Sequence, residues 1–377
     1  MKERILKKLN AWKMGMLSQG GREILIKAVA CAIPIYTMQC FKVPKKVCDE
    51  INAAMAGFWW GQKQEEMKIH WVSWLNLTKR KERGGMGFKD LNLLNIALLA
   101  KQCWRILCNP DEMWVKVIKG IYFPRCSIME ARKGARASWA WASILEGMDF
   151  FKENMRWQVM NGEEVEFWKD KWIDGVCLKE FIRNEQEESQ KVAEFMDEEG
   201  RWRLELVKER LGEGVIREIE AVPICKDRGK DRIVWPSARD GRYSVKAGYQ
   251  VIKEKIKEKV VEKATSSHKI DDRVWKEIWK LDVPTKVKNF MWRACGNYVT
   301  TNYNLWKKKV KQSPLCSICM KEEETVEHMM LQCEWVRSIW FGIDIEYKVD
   351  KQKISTFDKW FEGISRMGVL RRRKGSG

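Results

Sequence analysis

Ser313-Pro314-Leu315-Cys316-Ser317-Ile318-Cys319 and Glu327-His328-Met329-Met330-Leu331-Gln332-Cys333 are the stretches that decide how this chain is read. Together they spell C-x2-C-x8-H-x4-C through Cys316, Cys319, His328 and Cys333. Three thiolates and one imidazole at these spacings predict a closed, tetrahedral Zn2+ site. Zinc suits the set because it is soft enough for sulfur and needs no redox chemistry. The two residues between Cys316 and Cys319 let both sulfurs face one point from a tight knuckle. His328 and Cys333 are five apart, so one α-helical face cannot hold both and a turn is expected between them. The chain has 3 histidines, and one of them falls at ligand spacing. Four protein ligands with no open position predict one structural ion rather than a catalytic one.

Working outward, Trp275-x-x-Ile278-Trp279-x-Leu281-x-Val283-Pro284-x-Lys286-Val287-x-x-Phe290-x-Trp292-Arg293 precedes the knuckle. Glu324-Thr325-Val326-Glu327-His328 and Trp340 accompany it. Further upstream stand Leu17-Ser18-Gln19-Gly20-Gly21-Arg22-Glu23-Ile24-Leu25-Ile26-Lys27-Ala28-Val29 and Ala32-Ile33-Pro34-Ile35-Tyr36. Ile69-His70-Trp71, Gly84-Gly85-Met86-Gly87-Phe88, Asn95-x-Ala97-Leu98-Leu99-Ala100-Lys101-Gln102-x-Trp104-Arg105 and Trp168-x-Asp170-x-Trp172 follow in that order. In this order the segments resemble the post-palm region and zinc-binding domain of plant non-LTR (LINE-type) reverse transcriptases, over most of residues 1–345. The resemblance implies a thumb-like N-terminal region touching a primer–template backbone. It also implies a part that holds template RNA or target DNA for a reverse transcriptase core supplied elsewhere.

A reverse transcriptase palm needs separated aspartates that hold two Mg2+ ions. The Asp-Asp pair here, Asp271-Asp272, follows a polar, charge-rich run and reads as a solvated helix start rather than a buried strand. Endonuclease and ribonuclease H sites are likewise not recognisable. The expectation is a transposon-derived fragment without an active site of its own and without a small-molecule substrate.

Composition agrees with that reading. Of 377 residues 45% are hydrophobic, enough for real cores, while the formal net charge is +19. A protein this basic gains from polyanions through counterion release. RNA or DNA is the leading partner, and an acidic membrane surface the second. The 12 cysteines do not form a disulfide framework in a chain this long. Most sit in apolar contexts such as Ala30-Cys31-Ala32, which points to a reducing compartment, nucleus or cytoplasm. Lys27 and Pro34 break the apolar run from Ile24 to Phe41, so neither a membrane span nor a signal peptide is expected.

The predicted fold is mainly α with a small α+β middle. Residues 1–145 read as a helical, thumb-like region, 146–252 as a Trp-rich α+β region, 253–272 as a charged linker, 273–345 as the zinc-binding domain and 346–377 as a basic tail. Ile5, Leu9, Trp12 and Met16 fall at helical spacing, as do Ile24, Leu25, Ala28 and Val29 behind a Ser18 cap. Trp114, Val117, Ile118 and Ile121 continue a helical pattern after a strong helix from Asn92 to Leu107. Arg83-Gly84-Gly85-Met86-Gly87 lacks the Gly-Lys-Ser/Thr ending of a phosphate loop and reads as a turn. Two hairpins are expected, one about Asn161-Gly162 pairing Trp157–Val159 with Val165–Phe167, the other about Asp240-Gly241 pairing Ile233–Trp235 with Tyr243–Val245.

The chain carries 21 tryptophans, most of which read as core. Around the knuckle Lys307, Lys308, Lys309, Lys311, Lys321 and Arg337 are the candidate phosphate contacts. Three thiolates over-neutralise Zn2+, so the metal itself does not attract a phosphate; it would act by folding a loop that displays the lysines. Two other readings stay open from sequence: a zinc-dependent protein-interaction module, and a non-functional transposon remnant.

Overall fold

The computed structural model describes residues 1–12, 17–62, 68–174, 176, 178–182, 189–197, 199, 201–224, 229–261, 269–342 and 355–366. These residues are mainly helical, with a two-stranded sheet. Two compact units emerge. One comprises Met1–Pro34, Pro44–Asn92 and Lys263–Gly377, and the other Ile35–Val43 and Leu93–Glu262. Among the described residues no helix is long and apolar enough to cross a membrane.

The first unit holds the zinc-ligand stretch together with the N-terminal helices. Lys2–Ala11 is helical with Ile5 and Leu9 buried; Met16 lies outside the described residues. Ser18 Oγ accepts from the Gly21 amide (3.2 Å) and caps Gln19–Leu25, as its sequence context predicts. The expected inward face of Ile24, Leu25, Ala28 and Val29 needs correction, for Ile24 is 65% exposed. The buried face runs through Glu23, Ile26 and Ala30. Glu23 is drawn inward by ion pairs to Lys27 (2.6 Å) and Lys81 (2.7 Å), and a π-turn over Ile26–Ala30 carries the register onward.

Helix Lys45–Trp60 ends at Gly61, whose φ of 76° a β-carbon would resist. Trp59 near its end is fully buried, edge-on to Phe88 (5.2 Å) and to Trp292 (6.3 Å). The glycine-rich turn after Lys81–Arg83 is the seat for two helices of the zinc-binding stretch, Asp272–Lys280 and Thr285–Cys295. Gly84 has φ 77°, and a β-carbon there would stand 2.8 Å from the Trp275 ring. Its carbonyl accepts from Trp292 Nε1 at 2.9 Å. Burying such large rings contributes about 25 cal/mol per Å2 of apolar area withdrawn from water, so the glycine turn is retained for packing.

The second unit is organised around helix Leu91–Cys108. Asn95, fully buried on it, donates to the carbonyls of Met38 (2.8 Å) and Phe41 (2.9 Å) and accepts from the Val43 amide (2.8 Å). One core packs Trp104, Phe123, Trp141, Phe151, Trp235 and Tyr243. Tyr243 Oη donates to Ala97 O at 2.8 Å, which anchors the ring to that helix. Helix Met113–Tyr122 offers Val115 and Ile118 to this core, whereas Val117 (52%) and Ile121 (64%) are exposed, against the expected pattern. Stacking of Tyr122 on Trp141 (4.8 Å) sets that rotation.

Neither expected hairpin forms. Arg156–Gln158 pairs antiparallel with Arg232–Val234, joining the first limb of one to the first limb of the other. Asp231 is the physical reason, because its carboxylate accepts from the amides of Met160 (2.6 Å), Gly162 (3.0 Å) and Glu164 (3.0 Å). The Asn161-Gly162 turn is thereby clasped from a distant segment. Trp168-x-Asp170-x-Trp172 folds as a loop in a second core with Phe167 and Phe195. Trp172 Nε1 donates to Phe167 O (2.8 Å) and Asp170 accepts from the Glu166 amide (2.8 Å). Helix Val245–Val261 follows, so the first residues of the expected linker are helical. The rest of the charged linker, 262–268, and most of the basic tail, 367–377, lie outside the described residues.

Candidate metal centre

The knuckle begins where Leu315 bridges Glu323 and the Cys316 amide donates to Glu322 O (2.8 Å). Met320 adopts φ 56°, which turns the chain sharply after Cys319. The Cys319 thiol is thereby pulled down to about 6, chiefly by the amides of Lys321 and Glu322. Burial pushes the Cys333 thiol the other way. Cys316, His328 and Cys333 are buried and Cys319 is half-buried.

The ligand atoms of Cys316, Cys319, His328 and Cys333 all lie within 4.8 Å of one another. A Zn–S bond of about 2.3 Å puts tetrahedral sulfurs roughly 3.8 Å apart, so small inward shifts close the set on one ion. The donors therefore fit zinc. A turn between His328 and Cys333 is present, as their spacing predicts. His328–Gln332 is a π-turn, and the Cys333 amide donates to His328 O at 2.9 Å. In an α-helix, residues five apart point roughly 140° away from each other; the i→i+5 closure instead brings His328 and Cys333 to one side. Cys333 then leaves helical geometry and starts helix Glu334–Phe341, which lays Val336 and Trp340 against the cysteines.

Sequence reasoning missed Glu322. Its Oε2 lies 3.0 Å from His328 Nδ1, while Nε2 lies 3.3 Å from Cys319 Sγ. A proton on Nδ1, donated to the carboxylate, leaves the Nε2 lone pair for the metal. No spacing rule marks Glu322, though the acidic run Glu322-Glu323-Glu324 beside a ligand histidine is a usable signal. Glu322→Ala should lower zinc affinity about 10- to 100-fold without removing a ligand. Competition with a chromogenic chelator measures this, and an unchanged affinity would deny Glu322 that role.

The six basic candidates are not equivalent. Lys307 lies over the Tyr303 ring, 4.4 Å from its centroid. Lys311 Nζ donates to Asn302 Oδ1 (2.6 Å), and Lys321 is paired with Glu334 (3.0 Å). Lys308 and Lys309 are exposed beyond the end of helix Asn302–Lys307, and Arg337 is exposed on helix Glu334–Phe341. Asn302 ties the first group to the knuckle by donating to Leu315 O (2.7 Å) and Ser317 Oγ (2.9 Å). Asp271, the first of the aspartate pair, caps helix Asp272–Lys280 and is held by Arg273, which keeps its carboxyl down at about 2.

Comparison with known proteins bears on the same stretch. The family described as zinc-binding in reverse transcriptase matches residues 243–340. An Arabidopsis thaliana protein that carries a provisional ribonuclease H name is 26% identical over 350 residues, covering 90% of this chain. The chain spans 55% of that relative's length, about half of it. A second Arabidopsis thaliana protein, named only as an uncharacterised mitochondrial protein, is 40% identical over 143 residues. That match takes in 38% of this chain and 93% of the relative. With the Cys3His cluster inside the matched stretch, the chain belongs to the plant retrotransposon-derived proteins that carry the reverse transcriptase zinc-binding domain.

Proposed function

We propose that this chain is the nucleic-acid-holding, post-palm region of a LINE-type reverse transcriptase, built around one structural zinc and without polymerase, endonuclease or ribonuclease H chemistry of its own. The observation that carries the reading is the link through Asn302 between the knuckle and the lysine-bearing helix end. Zinc fixes the knuckle, the knuckle fixes Asn302, and Lys307, Lys308, Lys309 and Lys311 are presented to a phosphate backbone. The net charge of +19 supplies the long-range attraction. The polymerase core would lie outside these 377 residues. The longer relative's ribonuclease H name is not carried over to this chain.

Binding of labelled RNA and single-stranded DNA across a salt series tests the reading. Affinity should fall steeply between about 50 and 200 mM salt, with weak sequence preference. A protein-interaction role is the second reading, favoured by the exposed apolar side chains Ile318 (63%) and Met320 (69%) on the knuckle. Absence of salt-dependent nucleic-acid binding would shift the assignment to it. With Mg2+, primer–template and nucleotides, the chain alone should extend no primer, because Asp271 is engaged as a helix cap rather than a metal ligand. Extension that vanished on mutating Asp271 and Asp272 together would overturn that part of the proposal.

A further inference from the structure

Trp306 is 43% exposed, although the helix that bears it is tied down at several points. Thr301, fully buried, caps Asn302–Lys307 by accepting from the Asn304 amide at 3.2 Å. Asn304, also buried, donates to Asn297 Oδ1 (2.8 Å) and Val299 O (2.9 Å). Asn302 bonds the knuckle as described. The ring of Trp306 stacks on Tyr303 with centroids 6.0 Å apart and planes at 27°. An aromatic face is thus held rigidly at the surface, and holding it so costs little further entropy when a ligand arrives.

The backbone then places charge beside that face. Lys309 N donates to Trp306 O (2.8 Å) and Val310 N to Leu305 O (2.9 Å), a closure that usually recruits glycine. Here Lys309 occupies the left-handed position at φ 58°, a conformation that a β-carbon disfavours. The result is that Lys308 and Lys309 leave the helix at the end where Trp306 sits.

A flat π-surface beside two exposed lysines whose backbone is fixed complements a flat, anionic ligand. A duplex hides its base faces, and an aliphatic protein surface has no need of the lysines. We propose that Trp306, backed by Tyr303, stacks an unpaired nucleobase of single-stranded RNA or DNA while Lys308 and Lys309 hold the adjoining phosphates. This rests on the nucleic-acid reading above and narrows it to single strands.

The test uses the zinc-loaded full chain with three labelled probes of mixed sequence: a 12-nucleotide RNA, the same sequence as single-stranded DNA, and the 12-base-pair duplex. Trp306→Ala should weaken binding of one or both single strands by about tenfold or more, the range for loss of one base–aromatic stack. Duplex affinity and the salt slope should stay unchanged, because no charge is lost. Trp306→Phe should keep most of the affinity. Trp306→Leu, which retains apolar bulk without a π-face, should behave like the alanine variant and decides the matter if that variant loses zinc. Unchanged single-strand affinity in both Trp306→Ala and Trp306→Leu, or an equal loss on the duplex, would overturn the stacking role and leave the nucleic-acid reading standing. A wild-type chain that bound none of the three probes would overturn that reading and this inference with it.

Discussion

Stripping the metal with a chelator should unfold the segment from Asn302 to Trp340 while helix Lys45–Trp60 and its partners stay folded. Structural zinc contributes about 10–16 kcal/mol of apparent binding energy in zinc-finger peptides, and that energy is folding energy where no apolar core replaces it. Among the described residues the knuckle has only a small apolar cluster around its ligands. Its buried cluster is Cys316, Cys333 and Val336, with Cys319 and Trp340 against them. Without the ion, three thiols and an imidazole are left close together with only weak contacts among them. Trp59, Phe88 and Trp292 hold the remainder of the unit through packing that zinc does not touch. Cys319→Ser and His328→Ala should act in the same direction, costing more zinc affinity than the roughly 10–100-fold that an outer-shell partner is worth. Amide hydrogen exchange reads the result residue by residue. Native protection across 315–341 after complete metal removal would show that zinc does not build this module. An excised 273–345 fragment is a poor substitute for the full chain, because Trp275 and Trp292 pack on the Gly84 turn.

Neutralising Lys307, Lys308, Lys309 and Lys311 together to glutamine should weaken binding of every single-stranded sequence, by roughly a hundredfold or more at low salt. The slope of log affinity against log salt should become shallower by about 3, since each phosphate contact on a single strand contributes about 0.7. The loss should be uniform across sequences, because contacts to phosphate position a strand without reading its bases. Lys321→Gln should do much less. Its ammonium is already shared with Glu334, and what its removal mainly releases is an exposed ion pair. An unchanged slope in the quadruple variant would remove the knuckle from the binding surface and move attention to the basic N-terminal helices.

Several features of this protein were legible in its residues alone, and the reason is that they are local. Metal-ligand spacing survives any fold, because four donors must meet whatever the surrounding chain does. The Ser18 cap, the turn at Gly84-Gly85 and the Asp271 helix start each depend on a few neighbouring residues. Helix Leu91–Cys108 is long and periodic enough for pattern to settle it.

Tertiary structure decided the rest. Strand pairing was the clearest case: Asn161-Gly162 looks like a hairpin turn, but three amides around it are satisfied by Asp231, some seventy residues away. A carboxylate that distant leaves no mark in a local window. The inward face of the second helix turned on Glu23, which apolar periodicity discards and which Lys81 retrieves by charge. Spacing called for a turn between His328 and Cys333, and only the folded chain showed that a π-turn supplies it. Glu322 gained its place through a contact to the far nitrogen of His328. Sequence determined which atoms could hold a metal and how strongly the chain would attract a polyanion, because donor chemistry and charge belong to the residues themselves. Only the folded chain decided which lysines remain exposed and which tryptophans show a face, because exposure is what remains after every distant segment has taken its partners.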